Sequence, residues 1–257
     1  PVFLKDFGVM KGIYYSIFHS ISAFCNAGFD LMGDVSKFSS VTMYQSDIAI
    51  NVSIITLILV GGLGFLVWQD IAEHKFKVSG YSTQTKVVLT MSLILILFPS
   101  IIFFFTEFNG LDLKTRLLSS VFQAITPRTA GFNTADYSKF SDNGIAITII
   151  LMLIGGGSGS TAGGIKMSTV FLLSATLFSV FKQDKEVAIY NRRIEPDIIK
   201  NAISVFVLDI VLFIVGAMII SGIEGFSLKK TMFESASAVA TVGLTLGITP
   251  HLGVISK

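Results

Sequence analysis

Long and short apolar stretches alternate along this chain, and that alternation limits its fold more than any other feature. Four stretches (47–68, 86–106, 145 to about 181, and 198–220) reach the roughly 20 predominantly apolar residues needed to cross a bilayer. Three others (12–24, 113–126 and 228–240) are mixed Ser, Ala, Phe and Ile and too short to span, a length typical of re-entrant segments. Non-helical backbone at membrane depth survives only where protein or a water-filled cavity surrounds it. Composition agrees with a multi-pass membrane protein: the chain is 52% hydrophobic and only 14% charged, far less charged than a soluble protein. A net charge of +2 makes no case for nucleic acid as a partner. The single cysteine, Cys25, excludes an internal disulfide and any multi-cysteine metal site. Lying in a run of small residues, it is expected to be a packed thiol.

Each short stretch runs into a tetrapeptide built around glycine. These are Asn26-Ala27-Gly28-Phe29, Thr129-Ala130-Gly131-Phe132 and Thr241-Val242-Gly243-Leu244. The glycines recur at intervals of roughly a hundred residues, too long for a solenoid repeat. The period suits a unit of two membrane helices with a re-entrant segment between them. A cation sheds its water only where oxygens replace that water closely, and backbone carbonyls do so without holding the ion too tightly to leave. Glycine lets the chain turn carbonyls inward in conformations costly to other residues, and helix C-termini aim partial negative charge at the ion. One such glycine could serve close helix packing alone; three, each after a short helix, point to a selectivity filter. Loops 70–85 and 182–197 then fall on the side away from the tetrapeptides. The second carries Lys182, Lys185, Arg192 and Arg193, and positive charge in short loops marks the cytoplasmic side. Lys5, Lys11, Lys37, Lys114, Arg116, Arg128, Lys139, Lys229 and Lys230 lie on the opposite side, spread over longer segments.

The third long stretch contains Gly155-Gly156-Gly157-Ser158-Gly159-Ser160-Thr161-Ala162-Gly163-Gly164. Each of its six glycines costs an ordinary helix about 1 kcal/mol relative to Ala, so the helix breaks here, near mid-membrane. Low local stability would let such a loop move. Gly61-Gly62-Leu63-Gly64 occupies a similar place in the preceding inner helix, in reduced form. Gly157 to Ala162 fits a loose dinucleotide-binding pattern, but that pattern needs a soluble βαβ unit. A Walker A loop fails because Ile165 separates Gly164 from Lys166.

The segments Cys25-Asn26-Ala27-Gly28-Phe29-Asp30, Thr126-Pro127-Arg128-Thr129-Ala130-Gly131-Phe132-Asn133-Thr134 and Ala240-Thr241-Val242-Gly243-Leu244 resemble the filters of the Trk/Ktr/HKT superfamily of potassium transporters, most closely its KtrB-type membrane subunit. The resemblance covers the whole chain. It implies an all-α membrane protein of outer helix–pore loop–inner helix repeats around a pseudo-fourfold pore. Residues 1–69 would hold the pore loop and inner helix of the second repeat, and 70–181 the third repeat with its broken inner helix. Residues 182–257 would hold a cytoplasmic linker, then the outer helix and pore loop of the fourth. The first repeat and last inner helix are expected to lie outside the chain.

The resemblance further implies potassium uptake across a bacterial plasma membrane, with K+ as the transported ion and no organic cofactor in this chain. Carbonyls of Asn26, Ala27, Thr129, Ala130, Thr241 and Val242 would hold K+, and residues 155–164 would be the intramembrane gate loop. The expected partners are a second copy of the chain, membrane lipid and a cytosolic nucleotide-binding RCK-type ring, KtrA-like, that controls the gate. The tetrapeptides depart from the Thr-Val-Gly-Tyr-Gly of tetrameric potassium channels, which implies a less stringent filter. In this superfamily a serine in the first repeat's filter goes with sodium transport, so a sodium-permeable relative is the alternative. A membrane-embedded enzyme using the Ser/Thr-rich glycine loop is the rival from another class. No histidine or carboxylate constellation accompanies that loop.

Among lone polar residues, Arg128 would repel potassium if it lined the pore, so it is expected to point behind the filter and pair with a carboxylate. Asp209, mid-span, is expected to bond Ser, Thr or Lys166, or to be protonated. His19, His74 and His251 have no metal-ligand spacing and read as structural or solvated.

Overall fold

The computed structural model describes residues 2–35, 39–75, 77–184 and 186–256. The expectations for Lys37 and Lys185 lie outside these residues. Ten helices carry the described chain. The first half holds α1 (Val2–Phe7), α2 (Val9–Phe24), α3 (Ile48–Leu63), α4 (Phe65–His74) and α5 (Thr83–Thr106). The second holds α6 (Leu113–Ile125), α7 (Asp142–Leu153), α8 (Met167–Lys182), α9 (Pro196–Glu224) and α10 (Leu228–Val239). Several helix starts are encoded locally by a side chain that accepts one of the first free amides. Asp47 caps α3 at the Ile50 amide, Ser82 caps α5 at Thr85, Asp112 caps α6 at Thr115, and Ser141 caps α7 at Gly144.

The three short stretches are helical as α2, α6 and α10, and the long stretches depart from expectation in two places. By length and composition, α5 and α9 are long and apolar enough to cross a membrane. The stretch expected over 47–68 breaks at Gly64, where α4 turns 93° away from α3. Gly64 sits at φ +93°, a conformation that L side chains rarely adopt, so the turn falls at this residue. The third stretch divides into α7 and α8 around an irregular segment. Between α8 and α9, β1 (Ala188–Ile189) and β2 (Arg192–Arg193) form an antiparallel hairpin, a small departure from an all-helical chain. Its Tyr190 hydroxyl bonds the Thr90 hydroxyl of α5 at 2.9 Å.

Two apolar cores hold the helices. One joins α1, α2, α3 and α6 through Tyr15, Ile54, Phe122 and Phe132. The other joins α5, α7, α8 and α10 through Val88, Phe103, Met152, Met167 and Phe233. Helix α9 leans on α10 and buries only Phe213 and Ala217. The remaining apolar surface of α9 is what a lipid-facing helix presents.

Candidate functional site

Helices α2, α6 and α10 end alike. The second residue of each tetrapeptide donates its amide back into the last turn: Ala27 to Ser22 O (2.9 Å), Ala130 to Thr126 O (3.0 Å) and Val242 to Ser237 O (2.7 Å). The backbone then alternates in hand. Asn26, Thr129 and Thr241 have φ of +50°, +64° and +56°, and Gly28, Gly131 and Gly243 have +72°, +81° and +87°. The residue between each pair is not left-handed. Such alternation turns successive carbonyls toward one side. Asn tolerates the left-handed region, but for β-branched Thr it is a genuine outlier. Two threonines held there at matching positions cost about 1–3 kcal/mol each, and strain of this kind clusters at ligand-holding sites.

The tetrapeptides meet in a cyclic order. A β-carbon built on Gly28 would lie 2.6 Å from the Ala130 carbonyl oxygen, and one on Gly131 would lie 2.2 Å from that of Val242. All three glycines line one cavity of about 410 Å³, with Asp30, Asn133 and Thr245 on its wall. Asp30 and Asp136 add negative charge to the same wall, which raises the local cation concentration. Each of the three short helices leads at its C-terminus into a tetrapeptide whose glycine lines this cavity, so the negative end of each dipole lies on the cavity side of its helix.

Hydroxyls and short side chains hold the chain as it leaves each tetrapeptide. Ser22 Oγ donates to the Phe29 carbonyl (2.8 Å), and Thr126 Oγ1 donates to that of Phe132. Two residues past each glycine, a side chain accepts the amide two positions on. Asp30 takes Met32 N–H (2.8 Å), Asn133 takes Ala135 N–H (3.0 Å) and Thr245 takes Gly247 N–H (2.9 Å). These turns are a residue-level signal of the repeat that the tetrapeptides alone do not carry. The fourth tetrapeptide residues differ in environment: Phe132 and Leu244 are buried, whereas Phe29 is exposed.

The segment from Gly155 to Gly164 is non-helical and seated against the tetrapeptides. Its ends are clipped by Gly155 N–H to Ile165 O (2.8 Å) and Ile165 N–H to Leu153 O (3.0 Å). Thr161 Oγ1 donates to Phe24 O (3.1 Å) and lies 3.3 Å from Asn26 Oδ1. Gly163 N–H donates to Thr129 Oγ1 (3.0 Å), and a β-carbon on Gly163 would fall 2.1 Å from Thr241 Oγ1. The loop thus touches the first residue of every tetrapeptide. The α3–α4 break receives its other side: Gly157 N–H bonds Gly62 O (2.8 Å), Thr161 N–H bonds Gly61 O (3.3 Å), and Phe65 N–H bonds Gly159 O (3.1 Å). Hence the reduced glycine motif at 61–64 is a seat for the loop.

Lone polar residues depart from expectation. Arg128 is buried, yet among the described residues it pairs with no carboxylate. Its Nη1 points to Met167 Sδ at 3.8 Å and its Nε has no partner. Asp209 is half-buried in α9 without a hydrogen-bond partner among the described residues, and Lys166 donates instead to the Ala162 carbonyl. Cys25 is exposed, since its neighbours Ala23 and Asn26 take the inward directions. His74 does have ligand neighbours: Asp70, Glu73 and His74 offer atoms within 4.8 Å of one another. Asp70 is already committed, accepting from the Ser82 and Thr85 hydroxyls and the Ser82 amide, which hold its carboxyl down at about 2. His19 is buried with both ring nitrogens engaged, in keeping with a structural histidine.

The TrkH family, described as cation transport protein, matches residues 3–257. The potassium/sodium uptake protein NtpJ of Enterococcus hirae is 39% identical over 265 residues, covering 100% of this chain and 57% of that protein. The Ktr system potassium uptake protein B of Bacillus subtilis is 35% identical over 260 residues, covering 99% of this chain and 57% of that protein. The chain therefore spans little more than half the length of these relatives. The crystal structure of the potassium transporter TrkH from Vibrio parahaemolyticus has the same fold, with a TM-score of 0.75 at 18% identity over 91% of this chain and 50% of that one.

Proposed function

The chain belongs to the TrkH family of cation transport proteins, and from that premise we propose that it supplies three quarters of a potassium-conducting pore. One observation carries this reading. Three tetrapeptides of matching backbone hand face one cavity, and second-residue carbonyls of two of them abut the glycine of the neighbouring one. Carbonyls of Asn26, Ala27, Thr129, Ala130, Thr241 and Val242 replace the ion's water. Residues outside this chain complete the ring. Residues 155–164 form the gate, because they bond the inner ends of the tetrapeptides through contacts weak enough to break. The chemistry is non-covalent throughout, and transport rather than catalysis accords with the family.

The whole protein works as a dimer under a cytosolic nucleotide-binding ring. The hairpin at 188–193 and the loop around His74 and Lys77 offer that ring a charged docking face. Phe76 in that loop lies outside the described residues. A second reading, sodium permeation, has one point in its favour: NtpJ is a potassium/sodium uptake protein. Full-length protein in proteoliposomes, assayed for K+ and Na+ flux, tests both. Potassium flux in excess of sodium is expected, equal fluxes would favour the second reading, and no cation flux would end the pore reading.

A further inference from the structure

The three short helices share a feature that the tetrapeptides do not reveal. Aligned on the carbonyl that closes each helix (Ser22, Thr126 and Ser237), the residue three positions earlier is His19, Gln123 or Glu234. All three are buried, with exposures of 2%, 0% and 8%. Burying an imidazole, an amide and a carboxylate is costly unless each is bonded. Each is bonded to the same target, the segment that leaves its own tetrapeptide. His19 Nδ1 contacts Tyr15 O (2.6 Å), leaving Nε2 to accept the Leu31 amide at 3.2 Å. Gln123 Nε2 donates to Asn133 Oδ1 (3.1 Å) and Thr134 Oγ1 (3.3 Å). Glu234 accepts from the hydroxyls of Thr245 and Thr249, the latter at 3.0 Å. Counted from the tetrapeptide glycine the three stand nine, eight and nine residues back, and all reach the turn just beyond it with different chemistries, although Gln123 Oε1 itself has no hydrogen-bond partner.

We propose that His19, Gln123 and Glu234 are positioning residues for cation selectivity, an inference that rests on the pore reading. None touches the ion. Each ties the rigid helix to the turn two to six residues beyond the filter glycine. This keeps the carbonyl ring from contracting around a smaller cation. Glutamine already performs the role in the middle repeat, so it should serve at the other two.

The test uses the full-length protein in proteoliposomes, with K+ and Na+ flux measured for His19→Gln, His19→Met, Glu234→Gln, Glu234→Met and Gln123→Met. Gln keeps an acceptor oxygen within reach of Leu31 N–H or the two threonines. Met keeps the length and buried volume and removes the strong polar group. Each Met variant should lower the K+/Na+ preference about tenfold while K+ flux persists, the effect of losing one buried hydrogen bond. Gln variants should match the unsubstituted protein. Unchanged preference in the Met variants, or equal losses in Gln and Met, would overturn the assignment. If one Met variant fails to insert, the Met variants at the other two sites decide. Absence of flux from the unsubstituted protein would overturn the pore reading as well, a result distinct from conduction with indifferent Met variants.

Discussion

At the residue scale, left-handed backbone and close approach coincide at Gly131. A serine there would suffer at φ +81° and also push against the Val242 carbonyl, 2.2 Å from its β-carbon. Gly131→Ser should therefore weaken preference for potassium over sodium in a flux assay and lower stability by about 1–3 kcal/mol. Unchanged selectivity and unfolding midpoint together would contradict it. Asp70 gives a pH dependence of known sign. It lies in α4, which turns away from the spanning direction, and the hydroxyls of Ser82 and Thr85 with the Ser82 amide hold it at about 2, below its ordinary value. A depressed carboxylate stabilises the fold above its unfolded pKa of about 4 and loses that contribution as pH falls toward 2. Asp70→Asn should lower the unfolding midpoint at pH 7, and the gap from the unsubstituted protein should close between about pH 4 and 2. A gap that stays constant with pH would show that charge at Asp70 is irrelevant.

At the element scale, the break in α7–α8 and the break in α3–α4 are one construction. Loop amides bond Gly61 and Gly62 carbonyls, and the Thr161 hydroxyl bonds Phe24 O and Asn26. Thr161→Val removes the hydroxyl contacts without changing side-chain shape. It should raise basal flux about fivefold, the effect of one lost bond of roughly 1 kcal/mol. Deleting Gly156–Ala162 should raise flux further and blunt control by the cytosolic ring. Flux unchanged in both variants would remove the gate role from this loop. The glycine content of 155–164 made the break legible in the sequence. Its seating against Thr129, Thr241 and the α3–α4 turn depends on contacts between residues 34 to 100 positions apart, which no local pattern records.

At the scale of the whole molecule, the hairpin arginines are not equivalent. Arg193 pairs with Glu186 at 3.0 Å, whereas Arg192 is exposed and outside any ion pair among the described residues. Arg192→Glu is thus the cleaner probe of ring docking, and Arg193→Glu also breaks the hairpin's own pair. Reversing rim charge mainly slows association and sharpens salt dependence. Arg192→Glu should therefore weaken pull-down of the ring at moderate ionic strength with membrane insertion intact. Full assembly would leave Arg192 a topology marker only.

By itself the sequence determined which segments are apolar enough to enter a membrane, where short helices end and where the glycine-rich break falls. Apolar length, Asp or Ser at helix starts and clustered glycine are local consequences of solvation and backbone sterics. Tertiary structure alone decided which face each glycine presents, that Gly64 bends its helix by 93°, and that Arg128 rests on Met167 instead of a carboxylate. It also brought His19, Gln123 and Glu234, three chemically unlike side chains, against the segments that leave their own tetrapeptides. The reason is physical: each short helix brings only one wall, and the cavity, the carbonyl contacts and the side-chain bonds behind them exist only once segments distant in the chain pack together.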